Sequence, residues 1–187
     1  MKNWIACAAI AAASLPAAAA DTYTLDRDHT YPSFEFSHMG ISVWRGKFNK
    51  TSGTVTLDRA ARTGTVNILV NTESIDFGNP KMNEAALTDG WFNTQQHPTM
   101  SYQGTVRFEG DKPVGIDGRL SLLGVSKPLA LKITQFKCIP HPIFRREVCG
   151  ADAEGELNRA DFGMTMFSEG EAGRIRLRIQ VEALKDS

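Results

Sequence analysis

The stretch Arg174-Ile175-Arg176-Leu177-Arg178-Ile179-Gln180-Val181-Glu182-Ala183 decides how the rest of the chain is read. Its apolar residues alternate with charged or amide side chains, and a period of two sends neighbours to opposite faces of a sheet. One face is therefore apolar and the other wet. The same period recurs upstream. Phe34 and Phe36 alternate with Ser33, Glu35 and Ser37, Val55 and Leu57 with Thr54 and Thr56, and Leu129, Leu131 and Ile133 with Ala130, Lys132 and Thr134. Val66, Ile68 and Val70 follow it too, although Leu69 adds an apolar residue to their other face. Strands are expected near 23–25, 31–38, 43–48, 53–58, 64–71, 99–109, 114–123, 128–137, 149–158 and 173–184. Turn-forming runs at Asp58 to Gly64 and Glu109 to Pro113 suit antiparallel hairpins. Eight or more such strands with short links fit a sandwich or an up-and-down barrel, and periodicity does not choose between them.

One segment breaks the alternation. Thr72 to Pro98 spans 27 residues, longer than ordinary links in a compact β domain, where such segments are often lids or binding loops. Asn79 followed by Pro80 is an N-cap with proline at the first helical position, which predicts a short helix around Lys81 to Leu87. Trp91 and Phe92 then read either as a plug over one end of the sheet structure or as the cork of a closed bottom.

The chain has 187 residues and 21 basic against 21 acidic side chains, but the first twenty residues distort those figures. Lys2 is their sole charge, an apolar run extends from Trp4 to Leu15, and Pro16 precedes Ala17 to Ala20. That is the pattern of a cleaved secretory signal, with the cut expected after Ala20 and a single domain over residues 21–187. The apolar run is too short to span a bilayer as an uncleaved anchor. Cys7 lies inside that run rather than after it, where a lipoprotein cysteine would stand. The remainder is slightly acidic, which excludes the basic excess needed to grip phosphate backbones, and it holds no apolar run long enough for a membrane span. Export would place Cys138 and Cys149 in an oxidising compartment, so a disulfide across the Ile139 to Val148 stretch is expected. The alternative is zinc held by Cys138, His141 and Cys149, a spacing that matches no common finger.

Reaction chemistry is sparse. There is no dinucleotide fingerprint, phosphate loop, His-Glu-x-x-His or Cys-x-x-Cys, and Gly124-Val125-Ser126-Lys127-Pro128 lacks the second glycine of a nucleophile elbow. No catalytic residue, metal or cofactor is assigned. His38 shares the face of Phe36, where it would either orient a ligand headgroup or sit as a hydrogen-bonded core residue. Arg159 and Asp161 would either hold an anionic headgroup or form a salt-bridged turn at a strand end.

Seven segments in order resemble the YceI-like family of exported, polyisoprenoid-binding proteins. They are Asp28-His29-Thr30 with Phe34-Glu35-Phe36-Ser37-His38-Met39-Gly40; Trp44-Arg45-Gly46-Lys47-Phe48; Ser74-Ile75-Asp76; Leu87-Thr88-Asp89 with Trp91-Phe92-Asn93; His97-Pro98; the run from Gly118 to Pro128; and Asn158-Arg159-Ala160-Asp161-Phe162-Gly163-Met164. The resemblance implies an all-β, extended lipocalin-like antiparallel barrel of about eight strands with a short helical lid. It implies a periplasmic, often dimeric binding protein whose lumen holds a long isoprenoid, a quinone-like molecule or another amphiphilic lipid. On that basis the ligand-binding candidates are Phe34, Phe36, His38, Phe48, Trp91, Phe92, Leu122, Leu131, Ile133, Arg159, Asp161 and Phe162. Two departures stand out. Phe77-Gly78-Asn79-Pro80 replaces the usual residues after the Ser-Ile segment, and the Cys138 to Cys149 insert carries Phe144-Arg145-Arg146, a basic tip for an anionic lipid surface or a solvated loop end. The competing expectation is an enzyme using the same lumen, which requires His38, Asp161 and Arg159 to converge on one pocket wall. A lumen filled by side chains would favour a scaffold role instead.

Overall fold

The computed structural model describes residues 20–187, so the expected signal segment apart from Ala20, together with Cys7, lies outside the described residues. Eleven strands form one antiparallel sheet: β1 Asp21–Leu25, β2 Tyr31–His38, β3 Ser42–Phe48, β4 Thr51–Asp58, β5 Thr63–Asn71, β6 Ile75–Asp76, β7 Thr99–Glu109, β8 Lys112–Leu122, β9 Val125–Pro140, β10 Glu147–Asn158 and β11 Arg174–Lys185. Their order is β1-β4-β5-β7-β8-β9-β10-β11-β2-β3-β6, and β1 also pairs with β11. That last pairing closes an eight-stranded barrel.

β1 and β2 run along β11 in the same direction, with Tyr23 opposite Lys185 and Phe34 opposite Leu177. They behave as one long strand interrupted at Asp26 to Thr30. Thr30 seals the break, because its hydroxyl donates to the Glu182 carbonyl and accepts the Glu182 N–H. β3 and β4 form the matching interrupted strand, broken at Asn49 and Lys50. β4 pairs with β1 and β5, whereas β3 leaves that ladder and pairs with β2 and the two-residue β6. The resulting gap between β3 and β5 is filled by residues 72–98, tied down by Thr72 N–H to Pro98 O at 3.0 Å.

Within that filler the expected helix appears as α1, Pro80–Leu87, with the Asn79 side chain accepting from Lys81 N at 3.0 Å. No described helix is long and apolar enough to cross a membrane. The outward rows of β10 and β11 are charged and in register, so that Glu154 meets Arg178 and Glu156 meets Arg176. Exposed pairs of this kind add little stability. They do oppose a one-residue slip of β11, which would turn Arg174, Arg176, Arg178 and Glu182 toward the lumen.

The β9–β10 hairpin ends at His141 to Arg146, and Cys138 stands directly opposite Cys149 near its tip, joined as a disulfide with S–S 2.02 Å. That bond leaves no thiolate for the alternative zinc site, and His141 Nδ1 instead accepts the N–H groups of Ile143 and Phe144.

Candidate functional site

A cavity of about 260 Å³ runs along the barrel axis. Its existence follows from side-chain size. The inward row of β11 is Ile175, Leu177, Ile179 and Val181, but that of β10 is small from Cys149 through Ala151 and Ala153 to Gly155 and regains bulk only at Leu157. From Ile175 to Val181 of β11 the wall spans six residue steps, about 20 Å at the usual strand rise. Apart from a few groups such as the Thr51 hydroxyl, the lining is hydrocarbon, and Arg159 is the sole charged residue bordering it among the described residues.

One end is closed by the cluster of Tyr23, Leu25, Leu57, Cys149 and Ala183. Beneath it the Tyr23 hydroxyl donates to Glu147 at 2.6 Å, and Arg59 bonds both Tyr23 and Glu147. Burial, followed by that donation to Glu147, pushes the Tyr23 hydroxyl up to about 12. Burial also penalises the Glu147 carboxylate, but hydrogen bonds from Tyr23 and Arg59 outweigh it and hold the group below its ordinary value.

Loops cover the other end. Trp91 and Phe92, placed by the stretch after α1, border the cavity together with Phe77, Phe48, Phe34 and Phe36. These rings touch in sequence, with centroid separations of 5.5 Å for Phe48–Phe92, 5.7 Å for Phe34–Phe48 and 5.6 Å for Phe34–Phe77. Arg159 lies with its guanidinium carbon 5.0 Å from the centre of the Trp91 ring.

Nine of the twelve residues singled out from the sequence border the cavity: Phe34, Phe36, Phe48, Trp91, Phe92, Leu122, Leu131, Ile133 and Arg159. Three do not. His38 keeps the face of Phe36, but β2 has by then climbed to the rim, and the imidazole stacks on Trp44 with centroids 4.0 Å apart. Phe162 is buried in one core cluster with Leu120, Leu122, Leu129 and Leu131 and does not border the cavity. Asp161 is exposed on the short 3-10 turn Arg159–Phe162.

Among the described residues Arg159 and Asp161 share neither a pocket wall nor an ion pair, so they form neither the headgroup clamp nor the salt-bridged turn. Arg159 gives its N–H groups to backbone carbonyls: Nε to Ala172 at 3.2 Å, Nη1 to Met164 at 3.0 Å, and Nη2 to Met166 and Phe167 at 2.6 and 2.7 Å. It fastens the loop between β10 and β11 against Trp91, and burial pulls its pKa below the ordinary arginine value. His38, Asp161 and Arg159 thus fail to converge on one wall. Lining residues that were not singled out include Tyr23, Phe77, Tyr102 and Ala153. The signal for Ala153 was present in Ala151-x-Ala153-x-Gly155, a strand row whose inward side chains are all small.

The family model for the YceI-like domain matches residues 23–183. The chain belongs to the YceI-like family. Protein YceI of Salmonella arizonae is 28% identical over 172 residues, covering 90% of this chain and 89% of that protein. Among solved YceI-like structures, the Campylobacter jejuni YceI protein superposes with a TM-score of 0.67 at 23% identity, covering 81% of this chain and 90% of that one. Burkholderia cenocepacia BcnA gives 0.62 at 15% identity over 82% and 96%. A polyisoprenoid binding domain from Saccharophagus degradans gives 0.60 at 14% identity over 88% and 98%. At these identities the YceI-like likeness speaks for the fold, and it agrees with the closed barrel traced above.

Proposed function

We propose that this YceI-like protein is a non-enzymatic carrier that is exported to the periplasm and holds the chain of an isoprenoid, quinone-like or other amphiphilic lipid in its barrel. The carrying observation is the long cavity with a hydrocarbon lining and one bordering charge. Such a space rewards a flexible apolar tail, since each CH₂ taken out of water is worth about 0.8 kcal/mol. His38, Asp161 and Arg159, the polar residues considered for catalysis, lie apart, which supports a binding rather than a catalytic reading. The polar end of the ligand belongs at the loop-covered end, beside Trp91 and Arg159, because the opposite end is shut by the Tyr23 and Leu57 cluster. The name of the Saccharophagus degradans domain supports the isoprenoid choice by likeness. An open lumen speaks against a purely structural scaffold.

Native mass spectrometry of protein purified without denaturation, followed by lipid extraction, tests this reading. The expected result is a co-purifying lipid, or stoichiometric uptake of added polyprenol or ubiquinone. Repeated recovery of empty protein that takes up neither would refute it.

A further inference from the structure

Five of the large apolar side chains most exposed on the surface gather at one end of the barrel. Met39, Ile41 and Val43 belong to the β2–β3 hairpin tip, and Met166 and Phe167 to the loop between β10 and β11. Antiparallel pairing places both segments at the loop-covered end: His38 closes the upper reach of β2 alongside the start of β11, where that loop arrives. Met166 also reaches Gly90, beside Trp91, where an added Cβ would come within 3.1 Å of its Cε.

Two of these residues are unfavourable in both solvation and backbone conformation. Met39 is 77% exposed at φ 55°, and Phe167 is 79% exposed at φ 52°. The left-handed region favours Gly or Asn. Leu123 at φ 53° gives the contrast within the same molecule, since its side chain packs against the core. Met39 and Phe167 have no such packing to compensate them.

The exposed tip is also continuous with the cavity. Phe36 borders the lumen, Trp44 lies 5.9 Å from Phe36, and His38 stacks on Trp44 immediately before Met39. A lipid tail passing between the lumen and this rim would travel along aromatic surface throughout.

We infer that this rim, presented by Met39, Ile41 and Phe167, docks on the surface of a lipid bilayer, from which the cavity is loaded. The inference rests on the lipid-carrier reading above. Separate side chains on a turn and a loop offer only a few hundred Å², short of the roughly 800 Å² per partner of a stable protein interface. They are suited to a soft apolar phase, which needs no matching shape. The charges nearby do not favour an anionic surface: Glu84, Asp89, Asp161 and Glu169 are exposed there against Lys81, while Arg45 is paired with Glu35 and Arg174 with Glu156 and Glu171. Attachment therefore proceeds by apolar insertion, with little dependence on salt.

The experiment is flotation of the processed protein with phosphatidylcholine vesicles, comparing wild type with the triple variant M39N, I41S, F167N. Asn suits both left-handed positions, so the variant folds, and thermal unfolding checks this. Wild type floats, raising salt or adding phosphatidylglycerol changes its partitioning less than about twofold, and the variant partitions more weakly by about 1,000-fold or more, as loss of three inserted apolar side chains requires. A parallel arm offers polyprenol from cyclodextrin, with no membrane. Failure of uptake there refutes the carrier reading itself. Normal uptake with no flotation, equal flotation of wild type and variant, or flotation that needs anionic lipid and fades with salt overturns the docking inference. So does a wild-type dimer that the triple variant converts to monomer, which would assign the rim to a second copy.

Discussion

Ala153→Phe separates an open lumen from a filled one through the sign of its effect on stability. Ala153 lies on β10 opposite Ile133 of β9 and Ile179 of β11, and all three border the cavity. In a close-packed core, adding a benzyl group at such a point costs about 1–3 kcal/mol through strained rotamers and displaced backbone. In a lumen with 260 Å³ to spare the ring finds space, and burying it is worth about 1.5–3 kcal/mol. A protein of this size moves by about 2–4 °C per kcal/mol, so the expected melting temperature is unchanged or higher by several degrees. The same ring takes up room otherwise available to about four methylenes of a bound chain, so the ligand loses about 3 kcal/mol and its affinity falls roughly 100-fold or more. Differential scanning fluorimetry of the lipid-free protein gives the first quantity, and polyprenol titration followed by tryptophan fluorescence gives the second. A fall of several degrees in melting temperature with lipid affinity intact would show that the space at Ala153 is neither empty nor used, and the reasoning from the small β10 row would fail.

Gly118→Ala should cost about 1–3 kcal/mol in denaturant titration, because its Cβ would collide with the ring and hydroxyl of Tyr102, which is held by its hydroxyl on the Leu129 carbonyl. Asn79→Ala should cost about 1 kcal/mol by the same measurement, through loss of the side-chain cap on α1. Reduction of the Cys138–Cys149 bond, which closes a short loop of sequence separation 11, should cost about 3 kcal/mol and lower the melting temperature by roughly 6–12 °C. Stability should also fall at both pH extremes. Glu147 is held below its ordinary value in the fold, so its contribution is present above the unfolded pKa, about 4.3, and is lost as pH falls through the lower folded value. Tyr23 is raised to about 12, so its contribution is complete below pH 10 and is lost as pH climbs from about 10 to 12. Tyr23→Phe should reduce the alkaline loss without abolishing it, since burial raises Tyr102 as well.

A period of two tells which face a residue takes, and the cavity depends on something else: the difference in bulk between rows that face each other. Ile175, Leu177, Ile179 and Val181 were recognisable as an apolar row in the sequence, and so was the small row through Ala151 and Ala153. That they are adjacent, with Ala153 opposite Ile179, is a fact of register that only strand pairing supplies. His38 marks the limit of parity in another way, because a residue can keep its face while its strand runs past the lumen onto the rim. Arg159 marks the limit of composition. A guanidinium near a carboxylate in sequence reads as an anion clamp, but a buried guanidinium can be satisfied by carbonyls, and the loop from Met164 to Ala172 supplies them. Tyr23, Arg59 and Glu147 lie 36 and 88 residues apart along the chain, and no local pattern brings them together. The same distinction bears on function. Alternation built the wall and was legible, whereas emptiness inside it and apolar exposure at its rim are properties of assembled surfaces. Mutations at Ala153 and at Met39 therefore test the carrier and its docking more directly than any change to a motif residue.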